Sequence, residues 1–328
     1  MNTDLILTET DRKVYQTELR DRLPEKIFDT HIHLWEKSYF PANHVFREKS
    51  FQHCMQDEFS LADMEKFIPE LLPGKTVYFN AFSSPDNAVD RNRSPLCRFN
   101  MSLISPFDDV ELLEKRMNDN RSIGVKPYWN FSGKSAAETQ IKDMMTPAQL
   151  AMLNKRKSII TLHIPRPGRF EDPLNQRQMI QLCEEYPDIT FIFAHIGRAY
   201  YMQNIRKSNI EEFARYSNCY FDTAMLNHND VFRYTLDHFP AERVLFGSDA
   251  PIAFLHGKSV EINNSYLYLC AEDCLIGSMA YIPGQREKFT LFYYEQLRSL
   301  LDSVPEKLHN KIFFENAWKL FTEKESLL

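Results

Sequence analysis

The sequence lacks an apolar stretch near the roughly 18 residues of a membrane span, a secretory leader, an excess of basic charge and a cysteine framework. Its N-terminus, MNTDLILTETDRKVYQTELRDR, is charged and too broken in hydrophobicity for a signal peptide. Net charge is −6, from 39 basic and 45 acidic residues, which leaves no basic footprint for nucleic acid or an anionic membrane. Six cysteines are scattered at 54, 97, 183, 219, 270 and 274, unlike the spaced set of a disulfide scaffold. Cys270 and Cys274 share a face if that stretch is helical, and they read best as two ordinary thiols. No low-complexity linker or long charge block divides the chain. These absences predict a cytoplasmic protein with no nucleic-acid or membrane partner.

What is present is a recurrence. Eight short apolar runs stand at residues 27–30 (leading into His31-Ile32-His33), 75–82, 97–104, 122–128, 158–163, 189–195, 218–223 and 243–249. Several are apolar almost throughout, as parallel strands covered on both faces must be. From the third run onward they start roughly 25 to 36 residues apart, the size of a βα unit. Helices are predicted at 109–119, 147–156, 175–186 and 210–216, and two amphipathic ones at 287–301 and 306–321. Eight such units argue for an α/β fold, a closed (β/α)8 TIM barrel, over an open doubly wound sheet. A barrel of this kind runs from about 200 to over 400 residues as one domain. The reading is therefore one domain over 1–328, with 1–26 as an N-terminal helical extension. The long excursions after strands 1 and 8, residues 34–74 and 250–287, leave the C-terminal rim, where a barrel builds its active site. They are candidate lids or substrate walls. The first of them supplies Trp35, Tyr39, His44, Arg47 and His53, among which the sequence does not choose.

The polar residues at the ends of these runs carry the chemistry. His31 and His33 are two apart on one strand and so face the same side. His163, His195 and Asp249 end the fifth, sixth and eighth runs. Far apart in sequence, they share one rim in a closed barrel. Each alone has an ordinary explanation: H-x-H occurs by chance, a strand-end histidine is often structural, and an aspartate after a strand often caps a helix. Together, with only ten histidines in the chain, they read as an open metal site. Imidazoles and a carboxylate suit zinc first, and manganese or iron next. Such an ion lowers the pKa of its water toward about 7 and polarises a substrate carbonyl.

The motifs FDTHIHLW, LHIPRP, FAHIGRAY, VLFGSDAP and ENAWKLF resemble the amidohydrolase superfamily, and more narrowly its amidohydrolase-related branch, which includes aminocarboxymuconate-semialdehyde decarboxylase and related hydrolases and lactonases. The resemblance runs from about Ile27 to Phe321, in the family's order. It implies that His31, His33, His163 and Asp249 ligate one divalent metal ion, with Asp249 also accepting the proton of the attacking water. His195 would be the acid/base or substrate-polarising residue, or alternatively a direct ligand. Lys126, in a Gly-Val-Lys pattern, would be a barrel-mouth cation and not a carboxylated bridge between two metals. The resemblance further suggests a homodimer or larger homo-oligomer.

Arg166, Arg169 and Arg198 follow His163 and His195 onto the same rim, and an arginine fork recognises a carboxylate. Tyr128, Trp129, Tyr200 and Tyr201 also lie near strand ends and are candidates for an aromatic wall; Lys126, Tyr128 and the three arginines form the predicted substrate-binding set. The function read from all this is metal-dependent hydrolysis of a C–N, ester or lactone bond in a small carboxylate-bearing molecule. A metal-dependent non-oxidative decarboxylase would use the same ligands, and a non-catalytic barrel is the reading from a different class.

Overall fold

The structure, a computed structural model, describes residues 6–35, 58–83, 94–273 and 278–328. The eight apolar runs form eight strands: β1 (Lys26–His33), β2 (Thr76–Ser83), β3 (Cys97–Ile104), β4 (Gly124–Pro127), β5 (Ile159–Leu162), β6 (Thr190–Phe193), β7 (Cys219–Asp222) and β8 (Val244–Leu245). They lie in sequence order in one sheet, and each neighbouring pair is parallel. β4, β5 and β6 are buried at every position, which is why their sequences are apolar without alternation.

β8 is only two residues long, and the chain beyond it completes the ring against β1. The Thr30 amide donates to the Phe246 carbonyl (3.0 Å), Asp249 to His31 (2.8 Å) and His33 to Ala250 (2.8 Å). These bonds close the barrel and place Asp249 beside the H-x-H pair. Gly247 is required here, since a Cβ on it would lie 2.8 Å from the Cβ of His31.

Helices between the strands start where capping chemistry directs. Asp109 accepts from the Glu111 and Leu112 amides at the head of Val110–Asp119. Thr146 and Gln149 form a capping box, with Pro147 opening Pro147–Lys155. Asp172 caps Pro173–Glu185, so that helix starts before the expected residue 175. The helix expected at 210–216 is cut to Ile210–Phe213, and Asn229–His238 supplies a βα helix that periodicity did not predict. The N-terminal extension is helical over Glu9–Leu19, its second part as a π-helix.

At the C-terminus, Phe292–Ser303 is followed by Asn316–Glu325, which crosses the N-terminal end of the barrel. The Lys324 ammonium binds the carbonyl of Lys157 just before β5, and Phe321 and Trp318 meet Phe28 edge-on with centroids 5.1 and 5.9 Å apart. The bottom of the barrel is thereby sealed, and the opposite rim is left for chemistry.

The excursion after β8 differs most from expectation. It holds a three-stranded sheet: β9 (Gly257–Ile262) antiparallel to β10 (Ser265–Cys270), with β11 (Met279–Tyr281) parallel to β10. Cys270 is thus on a strand and not a helix face, and Cys274 lies outside the described residues. Cys97, Cys183, Cys219 and Cys270 are buried. Of the excursion after β1, Tyr39, His44, Arg47 and His53 lie outside the described residues, whereas Trp35 pairs with Phe59 through two backbone hydrogen bonds of 2.9 Å. No helix among the described residues is long and apolar enough to cross a membrane.

Candidate metal centre

At the C-terminal rim, one ligand atom from each of His31, His195 and Asp249 falls within 4.8 Å of the other two. His33 and His163, the other expected ligands, flank this group. Asp249 Oδ1 is 3.2 Å from His31 Nε2 and 3.1 Å from His33 Nε2, and Asp249 Oδ2 is 4.0 Å from His195 Nε2. His163 Nδ1 is 3.1 Å from His195 Nε2. The barrel therefore gathers all five rim residues, with Asp249 as the carboxylate among imidazoles. Its side chain keeps 17% exposure, while the rings of His31, His33 and His195 are buried.

Electrostatics follow from that burial. Removing Asp249 from water acts to raise its pKa, but the imidazoles of His31, His33 and His195 gathered around it outweigh burial, and it is held well below the usual carboxylate range. Desolvation pushes His33 down to about 3 and His195 to about 4, so both imidazoles are neutral at pH 7. His195 Nδ1 lies 2.9 Å from the Ala224 carbonyl. It must donate there, which leaves the lone pair on Nε2 facing Asp249 and His163.

Lys126 is fully buried, and desolvation lowers its pKa to about 8. Its ammonium is 2.6 Å from His31 Nε2 and 4.4 Å from the centre of the Phe82 ring. Two protonated groups cannot share that separation. With the ammonium donating, His31 Nε2 is an acceptor and Nδ1 carries the proton. The Tyr128 hydroxyl lies 3.1 Å from His33 Nε2, and burial holds its pKa well above the usual value, so it stays protonated.

One residue that strand-end reasoning passed over organises the centre. Asp222 ends β7, fully buried. Its Oδ2 is 2.7 Å from His31 Nδ1; its Oδ1 accepts from the amides of His195 (2.7 Å) and Ala224 (3.1 Å). A carboxylate behind a histidine fixes the tautomer that presents the other nitrogen to a metal. The signal was available, since NCYFDT carries an aspartate one residue before its end, where the eighth run ends in one. Asp29, also buried, accepts from the His31 and Ser248 amides at 3.0 and 2.9 Å and pins β1 to the closing segment.

The three candidate substrate arginines separate. Arg166 pairs with Asp172 at 2.8 Å and donates to the Ala137 carbonyl. Arg198 Nη1 donates to the carbonyls of Ile164, Pro165 and Arg166. Arg169 stacks on rings instead, its guanidinium 4.3 Å from the centre of Tyr266 and 5.6 Å from that of Tyr200; among the described residues its buried Nε has no hydrogen-bond partner. Tyr266 and Tyr268, both on β10, were not anticipated; they complete a wall with Tyr200, whose ring lies 5.7 Å from that of His195. Tyr201 stacks behind Tyr266 at 5.8 Å, and Trp129 sits in a 3-10 turn after β4.

The sequence matches the amidohydrolase family profile over residues 28–322. No curated protein sequence matches it. Among solved structures, 4-oxalomesaconate hydratase from Rhodopseudomonas palustris superposes with a TM-score of 0.55 at 14% identity, covering 92% of this chain and 97% of its own. A putative 2-pyrone-4,6-dicarboxylic acid hydrolase from Pseudomonas putida gives 0.54 at 12% identity, covering 92% and 98%. A 5-carboxyvanillate decarboxylase from Novosphingobium aromaticivorans, solved with bound manganese and a nitrobenzoic acid, gives 0.53 at 10% identity, covering 92% and 97%. At such identities the likeness is one of fold.

Proposed function

The chain belongs to the amidohydrolase family, and from that premise we propose that it is a metal-dependent hydrolase cleaving a C–N, ester or lactone bond in a small carboxylate-bearing substrate. The observation that carries this reading is Asp249, an ionised carboxylate at the barrel mouth with one oxygen 3.2 Å from His31 Nε2 and 3.1 Å from His33 Nε2. Imidazole nitrogens around a carboxylate fit a borderline divalent ion, zinc first and manganese or iron next. His31, His195 and Asp249 would hold it, with His33 and His163 beside them. When bound, such an ion acts as a Lewis acid and brings the pKa of water toward about 7.

The remaining chemistry falls to the chain's own groups. Asp249 is ionised and open to the mouth, and it accepts the proton of the attacking water. The Lys126 ammonium and the protonated Tyr128 hydroxyl offer a charge and a donor to oxygen that becomes negative in the transition state. Tyr200, Tyr266 and Tyr268 form the wall against which the substrate lies. Arg169 supplies the cation for its carboxylate.

Elemental mass spectrometry on protein purified without chelator or affinity metal tests the reading. About one zinc, manganese or iron per chain is expected, with Asp249→Asn losing both metal and hydrolysis of carboxylated lactones or amides. No metal after incubation with each ion would overturn it. Carbon dioxide release in place of a hydrolysis product would move the protein to the decarboxylases. Arg169→Gln is expected to raise KM for the carboxylated substrate by roughly ten- to a hundredfold, the worth of a charged hydrogen bond, with kcat little changed. An unchanged KM would remove Arg169 from substrate binding.

A further inference from the structure

His195, Ile196, Gly197 and Arg198, directly after β6, have φ of 59°, 47°, 61° and 62°. Four successive left-handed residues, three of them with side chains, do not sustain themselves in a chain of L-residues. The surroundings hold the turn at both ends and in the middle. At its start the His195 amide donates to Asp222 Oδ1 at 2.7 Å. In the middle Gly197 lies against Phe170, so closely that a Cβ would come within 2.8 Å of the ring. At its end Arg198 Nη1 donates to the carbonyls of Ile164 (3.0 Å), Pro165 (3.3 Å) and Arg166 (3.2 Å).

Those three carbonyls belong to the segment that leaves His163, and Phe170 lies a little further along it. One guanidinium nitrogen therefore ties the turn that carries His195 to the loop that follows His163, and the two rings face each other at 3.1 Å between Nδ1 of His163 and Nε2 of His195. We propose that Arg198 is a positioning residue of the metal centre, sustaining the left-handed turn and through it the placement of His195 against His163. The role rests on the metal-dependent reading above. It is carried by Nη1 alone, whose donors are taken by the protein, while among the described residues the buried Nε of Arg198 has no hydrogen-bond partner.

Zinc affinity, measured by competition with a chromophoric chelator, tests this in Arg198→Ala, Arg198→Lys and a matched control. The control is Arg243→Ala. Arg243 likewise donates to three carbonyls, those of Tyr216, Cys219 and Ala214, but it stands before β8 at the far end of the barrel. Arg198→Ala is expected to weaken zinc by about tenfold or more, the usual loss for a group that orients a ligand. Arg198→Lys should recover most of it, since a single ammonium also offers three donors. Arg243→Ala should lower the melting temperature and leave zinc affinity within about twofold, as an unrelated site does. Parent-like zinc binding in Arg198→Ala, or an equal loss in Arg243→Ala, overturns the proposal. If the parent binds none of zinc, manganese and iron, the metal reading fails on its own, and the ring 15N shifts of His195 in metal-free protein decide. Shifts moved by Arg198→Ala and not by Arg243→Ala uphold the positioning role, and unmoved shifts end it.

Discussion

Asp222→Asn should fold and yet bind its metal about ten- to a hundredfold more weakly, the range measured when the partner behind a ligating histidine is lost. The side chain is nearly isosteric, so the argument turns on protons. Asp222 Oδ1 accepts two backbone amides, from His195 and Ala224, and an asparagine keeps its oxygen there. Its NH2 group then faces His31 Nδ1 across the former 2.7 Å contact. Two donors cannot meet at that distance, so His31 must switch tautomer and carry its proton on Nε2. That proton points at Asp249 and Lys126, where the lone pair was. A protonated nitrogen cannot ligate a metal. Chelator competition on parent and variant would settle the matter; affinities within twofold of each other would mean that Asp222 is only a barrel carboxylate.

That residue also marks where the sequence stopped being legible. The strands were readable because a sheet covered on both faces needs apolar residues in succession, and β4, β5 and β6 supply them. His163, His195 and Asp249 were readable as polar residues closing such runs. Yet none of the three is in its strand: β5 ends at Leu162, β6 at Phe193 and β8 at Leu245. His195 and Asp249 stand on left-handed backbone at φ 59° and 70°. Non-glycine residues there cost roughly 1–3 kcal/mol each, and only surrounding structure sustains them. No local pattern announces such a turn. Asp222 went unread because it stands one residue inside its run, before Thr223, and not at the run's end.

The arginines failed for another reason. Arg166, Arg169 and Arg198 are alike on paper, and what separates them is where their donors go. Backbone carbonyls of the β5 loop take Nη1 of Arg198, and Asp172 takes Arg166. A tertiary hydrogen-bond inventory of this kind is settled only once loops are placed. The tyrosines of β10 were hidden because SYLYLC is apolar on both faces, with Tyr266 and Tyr268 turned in and Leu267 turned out. Such a run shows no clean alternation from which to pick the inward face.

The largest stability effect is expected far from the metal. His256 is buried between two carboxylates, with Nε2 2.9 Å from Asp11 and Nδ1 2.8 Å from Glu272. Arg286 also reaches Glu272, at 3.1 Å, and the Cys270 thiol donates to it. Burial opposes the charge on His256, but the hydrogen bonds to Asp11 and Glu272 outweigh it and raise its pKa to about 9. Asp11 and Glu272 are both lowered against the same burial by their bonds to His256. The trio joins the N-terminal helix to the segment holding β9 and β10.

The sign follows. His256 binds its proton more tightly folded than unfolded, so its contribution is complete below about pH 6.5 and disappears as pH rises through about 9. The interval corresponds to roughly 3 kcal/mol. The two carboxylates contribute above their unfolded values near 4 and lose that contribution in acid. His256→Gln removes the cation and leaves two buried carboxylates facing a neutral amide, which should cost about 3–5 kcal/mol at pH 6. Urea unfolding at pH 6 and pH 9.5 is the test. The parent should lose stability between the two and the variant should lose much less, so the gap between them narrows in alkali. A gap of the same size at both values would show that the proton on His256 contributes nothing, and that the trio is held by packing alone.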